Sequence, residues 1–260
     1  MRQPLRSSAK TPALLCGNRC LCGLLLVLLL WLPALPSRAQ GPMSVVELLD
    51  MEKKLQPGKL QNLCEQKGYT DVGIYRWVSH ASPMRMTHMV AYGPTAHIRQ
   101  LLPLLKKAYS SAGVKFYDAP FYKFDRHYCS DKATAPQWDN ITLTAKLVKD
   151  PKKQQEYLSH HATQFQKWPE VAQGFCNASF QQLLVFRQGR QLMLVISIPH
   201  GASLDELNPK TTLNNPRVDD WNALMKQYQE GLAGTKPGEV WVFLKPVAVK
   251  SKTAILQPAN

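Results

Sequence analysis

Several things are missing from this sequence, and each absence removes a chemistry. Cys-x-x-Cys occurs nowhere, and His88, His97, His127 and His200 lie far apart, so a structural zinc site has no ligand set; no metal is expected. No cofactor-binding motif supports redox chemistry, and no cofactor is expected. Acid is scarce, with 18 Asp and Glu against 32 Lys and Arg, and residues 1–39 contain none. The basic surplus is scattered over Lys106-Lys107, Lys152-Lys153, Lys245, Lys250 and Lys252. It forms neither a basic helix nor an aromatic-interleaved ribbon, which excludes nucleic acid as a partner. A solvated basic surface remains, with affinity for acidic glycans as the alternative.

Only one long apolar run exists, Leu21–Leu35, and it follows Arg2, Arg6, Lys10 and Arg19. It is short for a membrane span. The small residues of Pro36-Ser-Arg-Ala39 then complete a secretory signal peptide, with cleavage expected after about Ala39. The protein is therefore expected to be exported, periplasmic or secreted, without an integral span once cleaved; an uncleaved anchor is the alternative. Cys16, Cys20 and Cys22 precede or lie inside the apolar run, so a lipoprotein arrangement is absent. Cleavage removes five basic residues and no acid, leaving a net charge of about +9. Cys64, Cys129 and Cys176 remain. Export permits one disulfide among them, and the odd count leaves one thiol over.

The organising stretch is Lys149–Glu170. Asp150 is a good N-cap and Pro151 suits the first helical position, so a helix starts here, and Pro169 should disturb or end it near Trp168. Tyr157, His161, Gln164, Phe165 and Trp168 fall on one face of that helix. A titratable imidazole among a phenol, an amide and an indole suits a small polar ligand; an amphipathic helix with Tyr and Trp in the core is the plainer reading. His160 points about 100° away from His161 on a helix and is expected in solvent.

Around this helix the elements fall into order. Ile141–Val148 alternates as a strand, 180–187 and 191–198 form a hairpin around Gly189, 217–231 reads as a helix, and 239–249 as a closing strand. The order β-α-β-β-α-β is ferredoxin-like. In the first half, 59–67 reads as a helix, 72–78 and 86–92 as a hairpin, 98–109 as a helix interrupted early by Pro103, and 114–128 as extended. Residues 40–60 are weakly patterned, so the first half reads α-β-β-α-β with its opening strand uncertain. The expected division is a signal peptide at 1–39, a degenerate ferredoxin-like half at 40–129, a linker at 130–140, a second unit at 141–249 and a disordered tail at 250–260. The expected class is α+β, two ferredoxin-like units packed as an internal pseudo-dimeric α+β barrel, with a homodimer as a further arrangement.

The second unit carries Asp150-Pro151, Tyr157-x3-His161, Trp168-Pro-Glu170, Asn215-Pro-x-Val218, Trp221-x3-Met225 and Lys236-Pro-Gly-Glu-x-Trp-Val242, in order over about 141–247. In this it resembles the L-rhamnose mutarotase family of small dimeric α+β-barrel proteins. The resemblance implies that Tyr157 contacts a sugar, that His161 donates a proton, and that Trp221 lines the pocket. Trp168, Gln164 and Glu170 join the candidate substrate-binding residues, with Glu170 a polar contact or base. Anomer interconversion protonates the ring oxygen and removes the anomeric proton, and an imidazole titrating near neutrality does either. The implied partner is a monosaccharide such as a rhamnose-like aldose.

Three departures stand out. His161 precedes Trp168 by seven residues where the family has four, which leaves either His161 one turn further out or Gln164 in its place. The family's hairpin tyrosine falls near Gln182-Leu183, and its paired tryptophans become Trp221-Asn222. Trp77 and Tyr75 in the first half are expected in the core or between the halves, with completion of a pocket as the alternative. The leading expectation is an exported mutarotase, with a non-catalytic carbohydrate-binding or structural envelope protein as the alternative.

Overall fold

The computed structural model describes residues 41–51, 55–79 and 85–247; the expected signal peptide and C-terminal tail lie outside the described residues. The first half runs β1 (Met43–Asp50), α1 (Pro57–Lys67), β2 (Gly73–Val78), β3 (Thr87–Pro94), α2 (Thr95–Ala108), β4 (Gly113–Tyr117) and β5 (Tyr122–Asp125). The second half opens with β6 (Trp138–Leu147). The helices α3 (Pro151–Ala162), α4 (Gln164–Lys167) and α5 (Pro169–Asn177) follow, then the hairpin β7 (Gln182–Gln188) and β8 (Gln191–Pro199). It closes with α6 (Leu204–Leu207), α7 (Pro216–Lys226), β9 (Gln229–Glu230) and β10 (Val242–Pro246). Among the described residues no helix is long and apolar enough to cross a membrane.

Both halves have ferredoxin-like strand order, β4-β1-β3-β2 and β10-β6-β8-β7, all antiparallel. They form one sheet. At one seam β2 pairs with β10, Arg76 opposite Lys245 and Tyr75 opposite Pro246. At the other, the chain leaving β4 turns through Asp118-Ala-Pro120 and re-enters as β5, which pairs with β7. One stretch, expected as a single extended segment, thus begins in the first unit's sheet and ends on the second's. The sheet nearly closes into the expected barrel.

The opening strand that the sequence left uncertain is β1, an inner strand of its sheet. Val45, Val46, Glu47 and Leu48 are all buried, so both faces are covered and the alternation that marks a half-exposed strand is missing. Val46 and Leu48 pack outward with Leu60, Ile98, Leu101 and Leu105 of α1 and α2. Val45 faces the barrel interior with Tyr75, Tyr92, Tyr117, Leu184, Phe186, Met193 and Val195 from both halves. Trp77 packs against this cluster, so Tyr75 and Trp77 lie where the halves meet. Glu47 is inside too: His88 Nδ1 lies 2.6 Å from its Oε1, and the Tyr117 hydroxyl donates to its Oε2 at 2.6 Å. Burial pushes this carboxyl up, but its bonds to His88 and Tyr117 more than reverse that and hold it below the usual range.

Other boundaries moved for local reasons. Asp150 caps α3 as expected, its Oδ1 accepting from Lys152 N at 2.8 Å. That helix stops already at Ala162, and the run breaks again at Trp168 as expected, with Pro169 opening α5. Pro103 lies inside α2, which starts eight residues before it at Thr95. The expected helix 217–231 ends at Lys226, and Gln229–Glu230 pair with Leu147 and Lys146 instead. Residues 138–140 of the expected linker belong to β6. The pairing left open among the cysteines is Cys129–Cys176, with Cys64 a buried free thiol.

Candidate functional site

A cavity of about 490 Å³ lies between the outer face of the second unit's sheet and the helices over it. Its floor follows from strand alternation: Leu143, Leu183, Val185 and Ile196 point outward while Leu184, Phe186 and Val195 fill the barrel. Tyr157 and His161 enter from α3, Trp221, Asn222 and Met225 from α7, and Tyr122 from β5. Gln229 and Trp241 close the side, with Asn208 and Lys226 also on the lining.

His161 is directed into this cavity and is only 7% exposed. Its ring centroid lies 4.3 Å from that of Tyr157, 5.1 Å from Tyr122, 5.6 Å from Phe121 and 5.2 Å from Trp221. Its Nδ1 is 3.0 Å from the Tyr157 carbonyl oxygen. A carbonyl only accepts, so Nδ1 carries the hydrogen and Nε2 holds a lone pair. Burial pushes the imidazole down to about 4; the bond to Tyr157 opposes this and nearby His160 adds to it. The expectation of a group titrating near neutrality is therefore corrected: this histidine is neutral at physiological pH. The cause is burial under Tyr157 and Trp221 together with Phe121 and Tyr122, which come from the other half of the chain.

Tyr157 is buried, and its hydroxyl accepts from Gln229 Nε2 at 3.1 Å. Desolvation raises the phenol well above its ordinary pKa. His160 is half-buried rather than in solvent, its Nε2 lying 3.1 Å from the Tyr228 hydroxyl.

The three extra residues before Trp168 are absorbed by a break at Thr163, where α3 ends and α4 begins. His161 keeps its place in the cavity. Gln164 does not take that place: it is fully buried as a strut, accepting from the Tyr122 hydroxyl at 2.7 Å and donating to the Trp168 carbonyl at 2.6 Å. Trp168 stands behind the lining, 5.7 Å from Trp221 between centroids, with the Arg217 guanidinium 3.9 Å above its ring. Glu170 lies off the cavity as well; its carbonyl accepts from Asn215 Nδ2 at 2.7 Å, and its Oε2 is buried without a partner. Of the six candidates, then, Tyr157, His161 and Trp221 meet in the cavity, whereas Gln164, Trp168 and Glu170 support or flank it.

Sequence reasoning missed Tyr122 and Gln229. Tyr122 stands opposite Val185 on the strand beside the hairpin, so a tyrosine faces this cavity although Gln182-Leu183 offers none. No local signal identifies it, because the crossing of β5 is a tertiary event. Gln229 is masked by a pattern that continues the helical period past Lys226. Among the described residues no cluster of three or more His, Cys, Asp or Glu could hold a metal ion.

Comparison with known proteins places the cavity in context. L-fucose mutarotase of Xanthomonas campestris pv. campestris is 33% identical over 75 residues, covering 28% of this chain and 58% of that protein. The chain thus spans somewhat over half the length of this relative. A solved structure described as an anthrone oxidase-like protein superposes with a TM-score of 0.41 and 10% identity, over 81% of this chain and 93% of that one. The family model described as L-rhamnose mutarotase matches residues 140–247, the unit that holds α3, α7 and the cavity. Residues 140–247 of the chain are thus similar to the L-rhamnose mutarotase family.

Proposed function

We propose that the cavity interconverts the α and β anomers of an aldose pyranose, a deoxyhexose such as rhamnose or fucose, in an exported protein. The observation that carries this reading is His161 inside the cavity beside Tyr157 and Trp221, within the segment similar to mutarotases. The aliphatic floor of Leu143, Leu183, Val185 and Ile196 suits the C–H face and methyl group of a deoxyhexose. Asn208, Asn222 and Lys226 offer partners for its hydroxyls. The Cys129–Cys176 disulfide supports export, since such bonds persist in oxidising compartments.

The test is anomer exchange, followed by polarimetry on freshly dissolved sugars and by saturation-transfer NMR, with rhamnose, fucose, galactose and glucose. Acceleration of at least one is expected, lost in His161→Ala while circular dichroism stays native. No acceleration with any of the four defeats the enzymatic reading. Calorimetric sugar binding that survives His161→Ala without exchange marks a carbohydrate-binding protein instead.

A further inference from the structure

Gln229 belongs to none of the mutarotase-like motifs and arrives by a detour. After α7 the chain pairs with β6 for two residues, Gln229 opposite Leu147, and this short ladder holds the side chain against the cavity. Its amide nitrogen donates to the Tyr157 hydroxyl oxygen at 3.1 Å. A hydroxyl that accepts from an amide keeps its own proton for another acceptor, and no protein acceptor for it occurs among the described residues. One turn along α3, the Tyr157 carbonyl fixes the hydrogen of His161 on Nδ1 and leaves Nε2 as an acceptor. We infer that Gln229 is a positioning residue that makes Tyr157 the acid of the anomerisation and leaves His161 as its base. This inference rests on the mutarotase reading above.

The proton inventory closes. Nε2 of His161 takes the proton of the anomeric hydroxyl as the C1–O5 bond breaks and the C1–O1 bond becomes a carbonyl. The Tyr157 hydroxyl gives its proton to O5. The open aldehyde faces an imidazolium and a phenolate. After rotation about C1–C2, O5 attacks the other face of C1, returns its proton to the phenolate, and O1 recovers its proton from the imidazolium. Free charges would be costly in this apolar cavity. Concerted transfer avoids isolating them, so a weak acid and a weak base are adequate as a matched pair. Gln229 contributes most when the phenolate develops, because its N–H already points at the oxygen that gains the charge. The ionisable groups facing the imidazole are Tyr157 on α3 and Tyr122 on β5; His160 lies beside it in sequence, and Lys226 of α7 lies on the cavity lining.

The test compares kcat and KM for anomer exchange in the full mature protein and in Tyr157→Phe, Gln229→Leu and Gln229→Glu, at pH 5 to 8 with the spontaneous rate subtracted. Tyr157→Phe is expected to lower kcat about a hundredfold. Gln229→Leu should lower it about tenfold, the equivalent of one hydrogen bond strengthened in the transition state, with KM and melting temperature little changed. Gln229→Glu, though closer in shape, should be the worse of the two, because a carboxylate accepts the Tyr157 proton and withdraws it from O5. The parent enzyme should show a flat kcat over this range, as a neutral imidazole base requires; an imidazolium acid would lose about tenfold per pH unit. A wild-type kcat in Gln229→Leu, a milder loss in Gln229→Glu than in Gln229→Leu, or a kcat that falls with rising pH overturns the assignment and leaves the mutarotase reading standing. Absence of exchange in the parent protein overturns both.

Discussion

At the scale of single residues, His161 shows how a side chain's place in a fold sets its chemistry. Its folded pKa of about 4 lies below the ordinary 6.5 because burial disfavours the imidazolium. Between those values the unfolded chain binds a proton that the folded chain refuses, so stability falls as pH drops from 6.5 toward 4 and is fully present above 6.5. A shift of this size amounts to about 3 kcal/mol at the acid end. Replacing His161 by Asn should flatten the dependence of unfolding free energy on pH between 6.5 and 4.5. Urea titrations at pH 7, 6 and 5 read this directly, and an unchanged slope in the variant would contradict it. The buried carboxylate of Glu47 also loses stability in acid, but only as pH falls below its unfolded value of about 4.5, so the two groups separate on the pH axis. The sequence placed His161 on the right helical face. It did not supply the depth of burial, because part of it comes from Phe121 and Tyr122, about forty residues earlier in the chain.

At the scale of elements, the interrupted helix α3-α4-α5 decides whether the mutarotase-like motifs still converge. Spacing alone left His161 and Gln164 competing for one position, and the break at Thr163 resolves that competition by turning Gln164 into a strut. A helical-period argument assumes an unbroken helix, so this outcome could not be read from the residues. The same limit hid Gln229, since nothing local marks the end of α7 at Lys226. The disulfide holds this region: Cys129 follows β5 and Cys176 lies in α5, 47 residues away. Closing a loop of that length in the unfolded chain is worth about 4 kcal/mol on the chain-entropy model. The double variant Cys129→Ala, Cys176→Ala is accordingly expected to melt about 10 °C lower in calorimetry, with β5 the first element to lose amide-exchange protection on β7. A loss of less than 2 °C would show that the bridge stabilises little. Cys64 is buried and its thiol is pushed up to about 11, so a thiol reagent should find no reactive cysteine in native residues 40–260. Mass spectrometry of the native protein is expected to show the Cys129–Cys176 bridge.

At the scale of the whole molecule, the order of the second unit's elements was legible because Ile141–Val148 alternates, Gly189 marks the hairpin turn and Asp150 caps α3. The symmetry of the two units was only half visible: β1 is covered on both faces, and the exchange of β5 onto β7 has no local signature. These two hidden features bring the sheet near to closure and bear on assembly. Taken alone, the second unit would expose Leu184, Phe186, Met193, Val195 and Leu244 on one sheet face, a contiguous apolar surface that a lone domain rarely leaves in water. It would also present β10 and β7 as unpaired edges, which invite another chain. In the full chain β2 and β5 occupy those edges, and the first unit supplies Val45, Tyr75, Val90, Tyr92 and Tyr117 to the shared interior. The internal pair thus does what a second copy would otherwise have to do, using the self-complementary arrangement of a two-fold dimer within one polypeptide. Light scattering should therefore give a monomer for residues 40–260 and a dimer or larger species for a fragment spanning 135–247. A fragment that is folded and monomeric would mean that the exposed sheet face needs no cover. A mature chain that is dimeric through the same edges would mean that the internal closure does not hold in solution.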